Sequence, residues 1–400
     1  MSYTRREFGR LALAGLPAAA MLGRSESIFG AFARPSRLER ASAGQAQAKP
    51  SSLIDGVQIG TITYSFRAMP DQSAEATLKY VLDSGLSAIE LMGGPAESFA
   101  GAPASGRGGG PGRGPGGPGG RGPAGAAAPL EPGPGQKLGE WHGQQCIVAP
   151  EGSGGAGRAG GGGGRRGADM TPEQVAAQQD ATAKLKAWRT SVSMDPFKKL
   201  RKMYNDAGVT IYAWKQLSPN MSDEEFEYVF NVAEALGCTH TTLELPTEDA
   251  QLKRIGDFAM KKKIYAAYHT HAQGGMQIFD RAFAVSKGNM ANVDFGHWTA
   301  GGNVGGTPMD FLTKFHDRTS SFHLKDRTTP EHCALNLAWG TGETPIKQIL
   351  QLVKKNKWKI PASIEMEYAV PEGSDPVKEV RKCLEYCRAA LNASPTTASR

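Results

Sequence analysis

The chain has 400 residues and a formal net charge of +7, long enough for one large α/β unit or two ordinary domains. The charge is unevenly placed: residues 1–50 contribute +5 and residues 101–170 contribute +3, so the rest of the chain carries −1. Such a near-neutral body has no basic surface for tracking phosphates, which argues against a nucleic-acid partner.

The first element reads as a leader. Arg5 and Arg6 precede Phe8 and a short, weakly apolar run of Ala, Leu and Gly. The run is too short to span a membrane, and its order resembles a twin-arginine export signal. Small-x-small sites at Ala31-Phe32-Ala33 and Ala46-Gln47-Ala48 suit a signal peptidase. Residues 1–48 are therefore expected to be a leader to a periplasmic protein with no stable membrane span.

Beyond the leader, β-rich runs alternate with amphipathic ones. The strand candidates are GVQIGTITYSF, SAIELMG, GVTIYAWK, CTHTTLELP, KIYAAYHTH, ANVDFGH, TSSFHLKD and PASIEMEY. Helical patterns lie between them: SAEATLKYVLDSG, DPFKKLRKMYNDAG, SDEEFEYVFNVAEALG and PIKQILQLVKKN. Each opens on Ser, Asp or Pro, and three of the four run into Gly, as helix boundaries do. Eight strands interleaved with helices predict a single-domain (β/α)8 TIM barrel over residues 52–392.

After the second strand the composition changes. Residues 101–170 hold more than half of the 51 glycines, with many prolines. Such a segment buries too little apolar surface to offset its ordering entropy, so it predicts a disordered insertion within the barrel. Its glycine runs lack the Lys-Ser/Thr and the preceding strand of a phosphate loop. Residues 393–400 read as a disordered tail. The five cysteines, Cys146, Cys238, Cys333, Cys383 and Cys387, show no zinc spacing. Cys383 and Cys387 are placed i, i+4, which is poor disulfide geometry on a helix, so free thiols are expected.

In a barrel of this kind chemistry collects at the C-terminal strand ends. In chain order those ends carry Glu90, Lys215, Glu244, His269 with His271, Asp294 with His297, His323 with Lys325 and Asp326, and Glu365 with Glu367. Carboxylates and imidazoles gathered on one rim repel or desolvate one another unless a cation holds them, which points to a divalent metal. The absence of thiolate favours Mn²⁺, Mg²⁺, Co²⁺ or Zn²⁺ in an open site. Lys325 suits an oxyanion partner, with a salt bridge to Asp326 as the alternative.

YHTH, VDFGHW, FHLKD and IEMEY, in that order on successive strands, resemble the xylose isomerase-like TIM barrels, which include sugar phosphate isomerase/epimerases, ketose 3-epimerases and inosose dehydratase. TYSFR and ELMGG add weaker support. The resemblance implies Asp294 and His323 as central metal ligands and His297 as a substrate contact. Counting from Trp358 favours Glu365 as the last ligand, while Glu367 shares its face and stays open. The fifth strand departs from the 3-epimerases, carrying His269-Thr270-His271 where they place a catalytic glutamate; this is closer to inosose dehydratase, and Glu244 is then a candidate for the missing carboxylate. The expected metal set is thus Glu244, His271, Asp294, His323 and Glu365. Glu90, Lys215, His269, His297 and Glu367 are expected to meet substrate, and Glu244, Glu365, His297 and Lys325 to be catalytic.

The implied activity is proton abstraction α to a carbonyl on a neutral sugar, giving a metal-dependent isomerase or epimerase. A lyase or dehydratase acting on a keto-sugar or 3-keto-glycoside is the alternative, and a non-catalytic periplasmic carbohydrate-binding barrel is another. The family's endonuclease IV branch is disfavoured by the near-neutral body and the export signal. The expected partner is a small sugar or glycoside, with homo-oligomerisation left open.

Overall fold

A computed structural model describes residues 49–103, 131–148, 171–271 and 275–394. The expected leader at 1–48, the insertion residues 104–130 and 149–170, and the tail beyond 394 lie outside the described residues.

Eight strands follow in chain order: β1 Val57–Ile62, β2 Ala88–Met92, β3 Thr210–Lys215, β4 His240–Glu244, β5 Tyr265–His269, β6 Asn289–Asp294, β7 Thr319–Leu324 and β8 Ala362–Ile364. Each pairs in parallel with the next and β8 pairs with β1, so the sheet closes into a barrel. The intervening helices are α1 Ala74–Asp83, α2 Gly93–Phe99, α3 Pro172–Arg189, α4 Asp195–Asp206, α5 Asp223–Leu236, α6 Asp249–Lys262, α7 Asp280–Val285, α8 Phe295–Ala300, α9 Pro308–Phe315, α10 Ile346–Asn356 and α11 Pro376–Asn392. This is the predicted (β/α)8 architecture.

Local chemistry sets the helix bounds. Ser222 caps α5 reciprocally with Glu225, and Gly237, at a φ of 77°, ends it in the left-handed conformation that glycine tolerates. On α10, Ile346, Ile349, Leu350 and Val353 are spaced to form one buried stripe.

Strand periodicity then sorts the side chains. Ile89 and Leu91, Ala266 and Tyr268, Ala291 and Val293, Phe322 and Leu324, and Ala362 and Ile364 join the hydrophobic core. The residues alternating with them, including Glu90, Asn292, Ser321 and His323, are buried and hydrogen-bonded to one another inside the barrel. Polar groups thus fill the upper barrel because the apolar ones are committed to the helices. No helix among the described residues is long and apolar enough to cross a membrane.

Part of the segment predicted to be disordered is ordered. Lys137–Trp141 and Gln144–Val148 pair as an antiparallel hairpin, turned through His142 and Gly143, both at positive φ. Cys146 of this hairpin is disulfide-bonded to Cys333, 187 residues away. The expectation of free thiols therefore holds for the buried Cys238, Cys383 and Cys387 and fails for this pair.

Candidate metal centre

Asp294 ends β6 and also begins α8. Its Oδ1 accepts the His297 backbone N–H at 2.7 Å, an N-cap that fixes the first turn and explains the three-residue spacing from aspartate to histidine. Its Oδ2 is buried and makes no hydrogen bond, but is ion-paired to Lys325 Nζ at 3.1 Å. Gly296 lies between them because the backbone passes so near Lys325 that a Cβ would fall 2.1 Å from Lys325 Cγ.

β7 contributes His323, fully buried between two carboxylates: Nδ1 lies 2.7 Å from Glu365 Oε2 and Nε2 lies 2.8 Å from Glu90 Oε2. Burial alone would lower this imidazole's pKa, but the two carboxylates outweigh it and raise it to about 10. Without another cation the ring is an imidazolium that donates through both nitrogens. Glu90 is likewise opposed by burial, yet the charge and hydrogen bond of His323 draw its pKa down to about 2. Thr242 and Asn292 donate to its two oxygens at 2.6 and 3.0 Å.

His269, the last residue of β5, is buried with its ring centroid 4.6 Å from that of His323. Burial, reinforced by the charges of Lys215 and His323, holds its pKa well below the usual value, so it is neutral. One ligand atom from each of His269, Asp294, His323 and Glu365 lies within 4.8 Å of all the others. These four stand at the ends of the consecutive strands β5 to β8.

The donor set fits a divalent cation. Two imidazoles and two carboxylates suit Mn²⁺, Co²⁺ or Zn²⁺ better than Mg²⁺, which prefers oxygen. Glu90 holds the far nitrogen of His323, as an outer carboxylate does in carboxylate–histidine–metal triads, leaving Nδ1 to face the other ligands. Asp294 Oδ2 makes no hydrogen bond and faces the Lys325 ammonium at 3.1 Å, so it keeps a lone pair that a metal could take.

Lys325 is the resident counter-charge. Its Nζ is 2.6 Å from Glu367, 3.1 Å from Asp294 and 3.2 Å from Glu365. Burial opposes its charge, but these three carboxylates outweigh it and raise the pKa. The alternative partner, Asp326, is committed elsewhere: its carboxylate accepts the backbone N–H groups of Gly340, Gly342 and Thr344.

The structure places several of the expected site residues differently from the sequence reading. Glu244 and His271, expected to be ligands, lie outside the buried four. Glu244 is half-exposed on the rim, 3.0 Å from both Lys215 Nζ and His271 Nδ1. Burial opposes its ionisation, but bonds to His271 and Lys215 keep its pKa below the usual range. His269, expected to meet substrate, occupies the ligand position instead, since β5 ends there and His271 falls beyond the strand. Glu90, expected at the substrate, is fully buried beneath the cluster with its oxygens engaged. The structure brings both Glu365 and Glu367 within reach of Lys325 but gives them different nearest partners. His323 takes Glu365, and Lys325 is closest to Glu367.

A second set, His269, His271 and His297, also lies within ligand distance. Both nitrogens of His297 already face cations: Arg327 Nη1 at 2.7 Å from Nδ1 and Lys325 Nζ at 3.1 Å from Nε2. A metal there would meet two positive charges with no carboxylate among its three ligands, whereas the buried four include Asp294 and Glu365 to balance the charge, so they are the better site. Sequence reasoning missed Arg327 entirely; its only signal is its place directly after the H-L-K-D run.

No protein-family model matches the sequence, and no curated protein matches it. Solved structures similar to it include a sugar phosphate isomerase/epimerase from Parabacteroides distasonis, at 14% identity and a TM-score of 0.48, covering 87% of this chain and 96% of that one. Another is described as the probable 3-DHS dehydratase of petrobactin synthesis from Bacillus anthracis, at 12% identity and 0.46, covering 82% and 98%. A third is L-ribulose 3-epimerase, at 11% identity and 0.45, covering 84% and 94%. At these identities and scores the likeness assigns neither reaction nor substrate.

Proposed function

We propose that the chain is a divalent-metal-dependent isomerase or epimerase that removes the proton α to the carbonyl of a neutral sugar. The observation that carries this reading is the buried set His269, Asp294, His323 and Glu365 at the strand ends, with one donor atom of each within 4.8 Å of the others. A metal held there supplies Lewis acidity to a sugar carbonyl or hydroxyl oxygen.

The chain's own groups do the rest. Glu244 accepts from His271 Nδ1 and orients that ring beside His269 and His297, a carboxylate–imidazole pair suited to taking and returning a proton. Lys325 and His297 supply hydrogen bonds to oxygen as negative charge develops. Glu367 holds the Lys325 ammonium in place.

One observation favours elimination as a second reading. His271 follows β5, the strand on which the resemblance to the 3-epimerases places a glutamate, and an imidazole that has taken a proton can pass it to a departing hydroxyl. The substrate is then a keto-sugar or 3-keto-glycoside.

The leader motif supports export, and the Cys146–Cys333 bridge is a bond that persists in oxidising compartments such as the periplasm. A neutral sugar or glycoside suits that location. The test is incubation of metal-replete protein in D₂O with neutral ketoses, aldoses and 3-keto-glycosides, followed by NMR. Deuterium entering a carbon next to the carbonyl supports the proposal, and β-bond cleavage shifts it to the lyase. Sugar binding without exchange or cleavage overturns it.

A further inference from the structure

The hairpin of the glycine-rich insertion is fastened to the loop that leaves β7. Cys146 is bonded to Cys333, and Gly139 lies so close that a Cβ there would meet the Glu331 carbonyl oxygen at 2.5 Å. The Trp141 ring lies against the His332 ring, with centroids 4.9 Å apart. In that loop Cys333 and Ala334 both have positive φ, 72° and 47°, a conformation that residues bearing a Cβ rarely adopt unless the surroundings impose it.

From this turn a chain of hydrogen bonds enters the candidate site. The Ala334 carbonyl accepts from Arg327 Nη2, and Arg327 Nη1 donates to His297 Nδ1 at 2.7 Å. Arg327 is 5% exposed and has no carboxylate partner among the described residues. A guanidinium only donates, so it selects the form of His297 whose Nδ1 is unprotonated and whose Nε2 carries the hydrogen. Lys325 Nζ, another pure donor, lies 3.1 Å from that Nε2. The Lys325 ammonium has Glu367, Asp294 and Glu365 to donate to, so the shorter Arg327 contact decides which ring nitrogen stays unprotonated.

We propose that Arg327 is a positioning residue that fixes the Nε2–H form of His297, and that the Cys146–Cys333 disulfide, through the Ala334 carbonyl, holds Arg327 against the ring. The inference rests on the proposed site for its meaning, but its readout is in the free protein and needs no substrate. The redox step is complete in itself: an added dithiol gives two electrons and two protons to the bridge, leaving two cysteine thiols and its own cyclic disulfide.

The test is ¹⁵N NMR of ring-labelled histidines in the full chain, with His297→Gln assigning the signal. The expected wild-type signature is one protonated nitrogen, Nε2, and one unprotonated nitrogen, Nδ1. Arg327→Met should let the two nitrogens average or exchange roles, and Arg327→Lys, which still donates, should restore the wild-type pattern. Dithiol treatment and the Cys146→Ser/Cys333→Ser variant should each move the signature in the Arg327→Met direction. The backbone amide spectrum checks folding in every case. An unchanged His297 signature in folded Arg327→Met protein, or in folded protein lacking the bridge, overturns the proposal. Sugar turnover that fails while the signature behaves as expected counts against the proposed function alone.

Discussion

Asp294 divides its two oxygens between two tasks, one capping α8 and the other facing the cluster beside the Lys325 ammonium. Replacement by alanine removes both, and His323→Ala removes the imidazole that joins Glu90 to Glu365. Each variant should bind Mn²⁺ or Zn²⁺ at least tenfold more weakly than wild type in a chelator competition; unchanged affinity in both would move the metal elsewhere. A different histidine reports on stability. His240 is fully buried, hydrogen-bonded to Thr239 and Ser321, and burial lowers its pKa to about 4. Its unfolded value is near 6.5, so the unfolded state takes up the proton first as pH falls. Its stabilising contribution is complete above pH 6.5 and is lost progressively down to about pH 4, a difference of about 3 kcal/mol. The stability gap between wild type and His240→Gln should therefore narrow between pH 7 and pH 4, as read from denaturant titrations. A gap independent of pH would contradict this.

At the scale of elements, the eight strands were legible because their apolar alternation is bounded by helix patterns and turn residues. The hairpin at 137–148 was not, since ten residues of ordinary strand sequence are diluted by the flanking glycine runs and a compositional reading covers them all. The bridge was hidden for a related reason, because a separation of 187 residues carries no spacing signal. The choice between His269 and His271 depended on where β5 ends. Residues i and i+2 share a face, so periodicity could not separate them, and strand boundaries are the least certain part of such a reading. Nothing in the sequence sets Arg327 apart, and only the fold places its guanidinium on His297. The hairpin contributes no residue to the hydrophobic core. A chain lacking residues 103–168, with Cys333→Ser, should keep its far-UV circular dichroism and a single cooperative melt. Collapse of that variant to an unfolded chain would assign the insertion a structural role.

Taken whole, the barrel brings His269, Asp294, His323 and Glu365 from almost a hundred residues of chain to one mouth, and its eightfold plan was readable from the sequence because each strand repeats the same buried logic. The disulfide adds a different kind of connectivity. Residues 146–333 form a covalent ring that contains β3 to β7, while β1, β2 and β8 lie outside it. If the molecule is stretched from its two termini, tension runs across the sulfur–sulfur bond and bypasses everything within the loop. Only the outer staves can peel away, and the ligands from β5, β6 and β7 remain shielded from the load until the bridge is reduced.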